Sequence, residues 1–163
     1  MNVVFLDYDG VVNIAMWNKE GTRCFFNIPE DDKVNHFQAV QWVSKFCQKF
    51  DYKIVVTSTW RRWSNYQDCL INGGLRDGIE ILGKTDEIFD GSRGDEIQKY
   101  LDEHPEIENY LIFDDEYDFN EEQKEHLVQC DIDVGFNLER YNVASRLNNY
   151  FQNKRLAGGE TDE

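Results

Sequence analysis

An α/β layer structure with a mostly parallel central sheet is the fold this chain predicts, and three observations lead to it. Short apolar runs rich in β-branched residues alternate with amphipathic stretches of helical period along the sequence, a βαβα succession that requires parallel strands joined by crossover helices. Three of those runs, "VVFLDYDG", "KIVVTS" and "NYLIFDD", end abruptly in acids or hydroxyls. The length, 163 residues, suits one domain with a sizeable core.

Taken in order, Val3 to Leu6 is too brief for a helix and suits a strand covered on both faces. Between Gly10 and Pro29 two apolar-aromatic arms surround Asn18 to Gly21, the pattern of a β-hairpin, giving a small flap over about residues 11–28. Lys33 to Phe50 sets Val34, Phe37, Val40, Val43, Phe46 and Phe50 on one helical face, with Asp31 and Asp32 where an N-cap and a dipole-matched acid belong. "KIVVT", Lys53 to Thr57, is a strand. Trp63 to Ile71 is predicted helical, with Gly73 as its C′ residue, and Ile79 to Leu82 a short strand. "RGDEIQKYLDEHP" carries Ile97, Tyr100 and Leu101 on one face and is stopped by Pro105. After the strand "NYLIFDD", Glu121 to Val128 reads as a helix and "CDIDVGF" as the last strand. Leu138 to Phe151 forms the final helix, with Leu138, Tyr141, Ala144, Leu147 and Phe151 inward. The domain is expected over residues 1–153, and residues 154–163, ending "LAGGETDE", as an acidic disordered tail.

Composition narrows the function. A 40% hydrophobic and 14% aromatic content is that of a folded chain despite 30% charge. A formal net charge of -15 argues against broad, sequence-independent binding to nucleic acid or anionic lipid, while a local basic patch can still hold a phosphate. Cys24, Cys47, Cys69 and Cys130 lie far apart with no CxxC spacing, as in a protein with reduced thiols. No basic leader precedes an apolar run, and no apolar stretch is long enough for a membrane span, so a soluble cytoplasmic protein is expected. The sequence carries no signal of oligomeric state.

In open α/β sheets ligands bind beyond the carboxyl ends of the strands. There the first strand delivers Asp7 and Asp9, the second Thr57 and Ser58 followed by Arg61 and Arg62, and "LIFDD" delivers Asp114 and Asp115, followed by Asp118. Carboxylates converging on one rim repel unless a hard cation neutralises them, and all-oxygen ligation suits Mg²⁺. Asp7, Asp9, Asp114 and Asp115 are its candidate ligands. With that charge neutralised, a carboxylate can attack phosphorus while Thr57, Ser58 and a basic side chain hold the phosphoryl oxygens. A side chain two residues along an extended chain returns to the same face, so Asp9 can reach the leaving-group oxygen of a phosphate held at Asp7 and carry its proton.

Together, "FLDYDGVV", "VVTSTW", "SRGDEI" and "LIFDDEYD" resemble the four ordered motifs of the haloacid dehalogenase-like (HAD) phosphohydrolase superfamily. The resemblance implies a three-layer Rossmann-like sandwich. It makes Asp7 the nucleophile, Asp9 the acid/base, Thr57 or the adjacent Ser58 the phosphate hydroxyl, and Asp114 and Asp115 the metal-binding acids. More narrowly, "TSTWRR", "RGDEIQKYL" and "YLIFDDEYDF" are similar to the small HAD domains of RNA repair proteins and of stand-alone bacterial and phage proteins. The family's third motif is usually a lysine, whereas this chain has Arg93 at the corresponding helix start, with Lys84 and Lys99 as alternatives. Arginine stays charged and offers a planar fork of donors. The small flap leaves no room for a large cap, so an open site is expected.

The function these readings predict is a Mg²⁺-dependent phosphomonoester hydrolase working through an aspartyl-phosphate on nucleotides or nucleic-acid ends. A phosphatase of small metabolites or phosphoproteins is the alternative enzyme. A non-catalytic, receiver-like phosphate sensor is the alternative without catalysis, and it has no use for Asp9. Trp60 and Trp63, flanking Arg61 and Arg62, suit either base stacking or packing. His36, His104 and His126 are given no chemistry.

Overall fold

The computed structural model describes residues 1–14 and 30–159. Five strands pair in parallel: β1 (Asn2–Leu6), β2 (Tyr52–Val56), β3 (Ile81–Lys84), β4 (Asn109–Asp114) and β5 (Leu127–Gln129). Their order is β3-β2-β1-β4-β5. β1 is therefore central, which explains why its residues Val3 to Leu6 are all apolar and fully buried.

The period-2 alternation of the strands sorts the core into two layers. Val4, Leu6, Ile54, Val56, Leu111 and Phe113 pack with Val40, Val43 and Phe46 of helix α1 (Glu30–Phe50) and with Tyr141 and Ala144 of α5 (Leu138–Gly159). Val3, Phe5, Val55 and Ile112 face the other way, onto Ile97, Tyr100 and Leu101 of α3 (Arg93–Glu103). The result is the expected three-layer, Rossmann-like sandwich, with no large cap among the described residues. No helix among them is long and apolar enough to cross a membrane. The expected flap, residues 11–28, lies outside the described residues beyond Ile14.

Local chemistry shifts several elements from their predicted positions. The helix expected over Trp63 to Ile71 is reduced to a short helix α2, Asp68–Asn72, and a 3₁₀ turn, Thr59–Arg62, precedes Trp63. Ser58 caps the 3₁₀ turn through a bond from Trp60 N to its hydroxyl (3.3 Å), and Trp63 N closes it on Trp60 O. Gly73 is right-handed, and the positive φ falls on Gly74 (82°). Helix α4 (Glu121–Glu125) is short, and the last strand is β5 rather than "CDIDVGF". Asp131 turns that segment: its carbonyl accepts from Val134 N and Gly135 N, and its carboxylate from Asp133 N. Phe37 and Leu138, expected inward, are about half exposed. Helix α5 runs to Gly159, so residues 154–159 are helical rather than part of a disordered tail; Arg155 pairs there with Glu108.

Candidate active site

The parallel ladder continues one residue past the strands. Asp7 N donates to Phe113 O (3.0 Å), Thr57 N to Leu6 O (2.9 Å) and Thr85 N to Val56 O (3.0 Å). Asp7, Thr57 and Asp114 thus sit side by side at the carboxyl edge of the sheet. All three follow the parity of Val3, Phe5, Val55 and Ile112, so their side chains leave the sheet on the α3 side. Tyr8 has the opposite parity: it is fully buried in the other layer, its hydroxyl donating to Tyr66 O (2.8 Å). This is the physical content of the Asp-Tyr-Asp spacing.

Arg93, the first residue of α3, meets this row. Its Nη1 lies 3.0 Å from Asp7 Oδ1, 3.0 Å from Asp114 Oδ2 and 3.5 Å from Thr57 Oγ1. A capping box fixes the helix start, with Ser92 Oγ accepting from Asp95 N and Asp95 accepting from Ser92 N. Gln123 Nε2 donates to Gly94 O (2.8 Å), and a Cβ on Gly94 would come within 2.5 Å of the Gln123 amide oxygen. The lysine alternatives point elsewhere: Lys84 Nζ donates to Arg61 O (2.7 Å), and Lys99 pairs with Asp86 and Glu103.

The ligand atoms of Asp7, Asp114 and Asp115 lie within 4.8 Å of one another. Burial and the nearby Asp7 charge push both Asp114 and Asp115 upward from the ordinary carboxylate range, and Arg93 opposes this at Asp114. For Arg93 burial favours the neutral form, but Asp7 and Asp114 outweigh it and raise its pKa. Gly10 makes room for the cluster: its φ is 82°, and an added Cβ would lie 2.7 Å from Asp115 Cγ. Three carboxylates around one guanidinium retain an excess of negative charge, and an all-carboxylate donor set fits a hard cation such as Mg²⁺.

Asp9, also expected among the metal ligands, is not part of that three-carboxylate cluster. The chain turns tightly behind it, with Val11, Val12 and Asn13 all donating to Tyr8 O. The turn brings Asn13 Nδ2 to 3.2 Å from Asp9 Oδ1, while Trp60 Nε1 donates to Asp9 Oδ2 (3.0 Å). Burial raises the pKa of Asp9, and the bonds from Asn13 and Trp60 pull it partly back.

Two residues expected to contact phosphate, Arg61 and Ser58, also hold the chain locally. Arg61 is buried, its Nη2 2.7 Å from Glu96 Oε2 and its Nη1 donating to the Thr57 carbonyl. It braces Thr57 from behind. Ser58 is also buried, its hydroxyl oxygen serving as the 3₁₀ cap. Trp60, Asn13 and Glu96 were not expected to have these roles. Only Asn13 left a trace in the sequence, four residues after Asp9 and just past the glycine turn.

A parallel sheet whose carboxyl edge carries an acid pair after the central strand, a buried threonine hydroxyl after β2, a guanidinium at the start of α3 and two acids at the end of β4 defines a HAD-like hydrolase. The family model described as "HAD domain in Swiss Army Knife RNA repair proteins" matches residues 3–141, and the chain belongs to that family. No curated protein and no solved structure gives a significant match.

Proposed function

We propose that the protein is a Mg²⁺-dependent phosphomonoester hydrolase, acting on phosphorylated nucleotides or nucleic-acid ends through an aspartyl-phosphate on Asp7. The observation that carries this reading is the meeting of Arg93 with Asp7, Asp114 and Thr57 at 3.0, 3.0 and 3.5 Å. A nucleophile, a hydroxyl donor and a fixed cation then converge on the space a phosphoryl group needs.

An Asp7 carboxylate oxygen attacks phosphorus, and the bond from phosphorus to the leaving oxygen breaks. Asp9 gives its proton to that oxygen, so the leaving group departs as an alcohol. Asp9, now ionised, takes a proton from a water whose oxygen attacks the same phosphorus. The bond from phosphorus to Asp7 breaks, and inorganic phosphate leaves. Arg93 and Thr57 hold the remaining phosphoryl oxygens in both halves. Asp7, Asp114 and Asp115 would hold the cation, which supplies the charge neutralisation that lets an anion approach an anion. The separate fixing of Asp9 by Trp60 and Asn13 favours this reading over a phosphate sensor, which needs no proton carrier.

Hydrolysis of an aryl phosphate is the direct test. Asp7→Asn is expected to abolish turnover with the fold intact, and EDTA to silence the wild type until Mg²⁺ is restored. Full activity in Asp7→Asn would sink the assignment.

A further inference from the structure

Trp60, whose indole holds Asp9, also lines a cavity of about 620 Å³. Trp60, Trp63, Phe37 and Tyr66 form much of its wall, with Cys69 and Asp68 among them. Two wall residues connect directly to the Asp9 environment. The indole N–H of Trp60 is on Asp9 Oδ2, and Cys69 Sγ lies 3.7 Å from the oxygen of Asn13, whose amide nitrogen donates to Asp9 Oδ1. The proton carrier of the proposed reaction and the cavity wall are therefore neighbours, joined through Trp60 and Asn13.

The wall has a defined chemistry. Trp60 and Trp63 meet edge to face, 5.5 Å apart and at 89°. The Phe37 ring is accommodated by Gly74, where a Cβ would come within 2.7 Å of it. The described lining residues include no lysine or arginine, and Asp68 adds a carboxylate. Such an aromatic wall suits a flat, uncharged ring. The volume falls within the range of about 300–1,000 Å³ typical of small-molecule sites.

We propose that this cavity receives the base of the nucleoside whose phosphate is held at Asp7, so that the enzyme selects nucleoside leaving groups over aliphatic ones. The inference rests on the phosphomonoesterase reading above. It applies equally to a free mononucleotide and to the terminal residue of a strand, since both present one base beside the reacting phosphate.

The test compares adenosine 3′- and 5′-monophosphate with glycerol 2-phosphate, using the full chain with Mg²⁺. The better nucleotide is expected to exceed glycerol phosphate in kcat/KM by about tenfold or more, the order of one base–aromatic stacking contact. Free adenosine should raise KM for glycerol phosphate and leave kcat unchanged. Trp63→Ala should lower the ratio of the two kcat/KM values by about the same factor, whereas a purely structural defect would lower both and keep their ratio. If that variant does not fold, adenosine inhibition of the wild type decides. A 3′-phosphorylated trinucleotide distinguishes a strand end, turned over as well as the mononucleotide, from a free nucleotide, and either result supports the base site. Equal kcat/KM for all phosphates with no inhibition by adenosine overturns the base site and leaves the phosphatase reading standing. No turnover of any of them overturns both.

Discussion

On the proposed mechanism, two neighbouring donors set the working range of Asp9. Burial favours its protonated form, which a proton donor needs, while Trp60 and Asn13 stabilise the ionised form, which the second half-reaction needs. In Trp60→Phe one of those bonds is lost, so the pKa of Asp9 rises. Turnover that depends on protonated Asp9 falls as pH climbs through that pKa, so the alkaline limb of the kcat profile should move to higher pH. The expected shift is about one unit, the size of a charge-assisted hydrogen bond of somewhat over 1 kcal/mol. An unmoved or lowered limb in a pH–rate profile would remove Asp9 from the proton-donor role. Gly10 acts at the same scale. An alanine there must adopt a left-handed conformation, costing about 1–2 kcal/mol, and its Cβ would press on Asp115, 2.7 Å from Cγ. Gly10→Ala is expected to weaken Mg²⁺ activation several-fold, read from the metal concentration giving half-maximal rate; an unchanged value would show that Asp115 does not need its present position.

Between elements, the Arg61–Glu96 ion pair joins the 3₁₀ turn after β2 to helix α3, so that Thr57 and Arg93 keep a fixed separation. Both side chains are almost wholly buried, and Glu96 also accepts from Ile88 N (3.3 Å) in the loop before α3. Breaking a buried pair from one side leaves an uncompensated charge. Glu96→Gln is therefore expected to cost about 3 kcal/mol, seen as a lower urea midpoint with an unchanged slope. Arg61→Met combined with Glu96→Leu should recover most of that loss, and additive destabilisation of the two changes would argue against the pair. Nothing in "TSTWRRW" announces this use of Arg61, because it depends on where the 3₁₀ turn stops and α3 begins. The placement of Asp7, Thr57 and Asp114 was legible, because strand parity and the parallel register follow from the apolar runs themselves. That of Arg93 was legible only as one of three basic candidates, because its contacts depend on where α3 begins, which the capping box at Ser92 sets. The last strand was misplaced because "EHLVQCDIDVGF" contains two short apolar runs that periodicity cannot rank. His126 closes α4, its backbone N–H on the carbonyls of Gln123 and Lys124, early enough to free Leu127–Gln129 for pairing with β4.

For the whole molecule, the contrast is between one guanidinium placed at the site and a strongly acidic chain. Lys and Arg number 17 against 32 Asp and Glu, and several cations are committed internally: Arg61 to Glu96, Lys99 to Asp86 and Glu103, and Arg155 to Glu108. A polyanion approaching such a surface gains at the reacting phosphate and is repelled elsewhere. A protein that tracks a nucleic-acid backbone releases a counterion for each phosphate it neutralises, and its affinity falls steeply with salt. This one, if it acts on strand ends, should contact little beyond the terminal nucleotide. For oligonucleotides carrying a terminal phosphate, kcat/KM is accordingly expected to stay level or fall as the strand lengthens from a few nucleotides to a few tens. The slope of log kcat/KM against log salt should be near zero or positive, since added salt screens the repulsion. A rate that climbs with length, together with a steep negative salt slope, would show a basic track along the strand, and the substrate would then be recognised by its backbone rather than by its end.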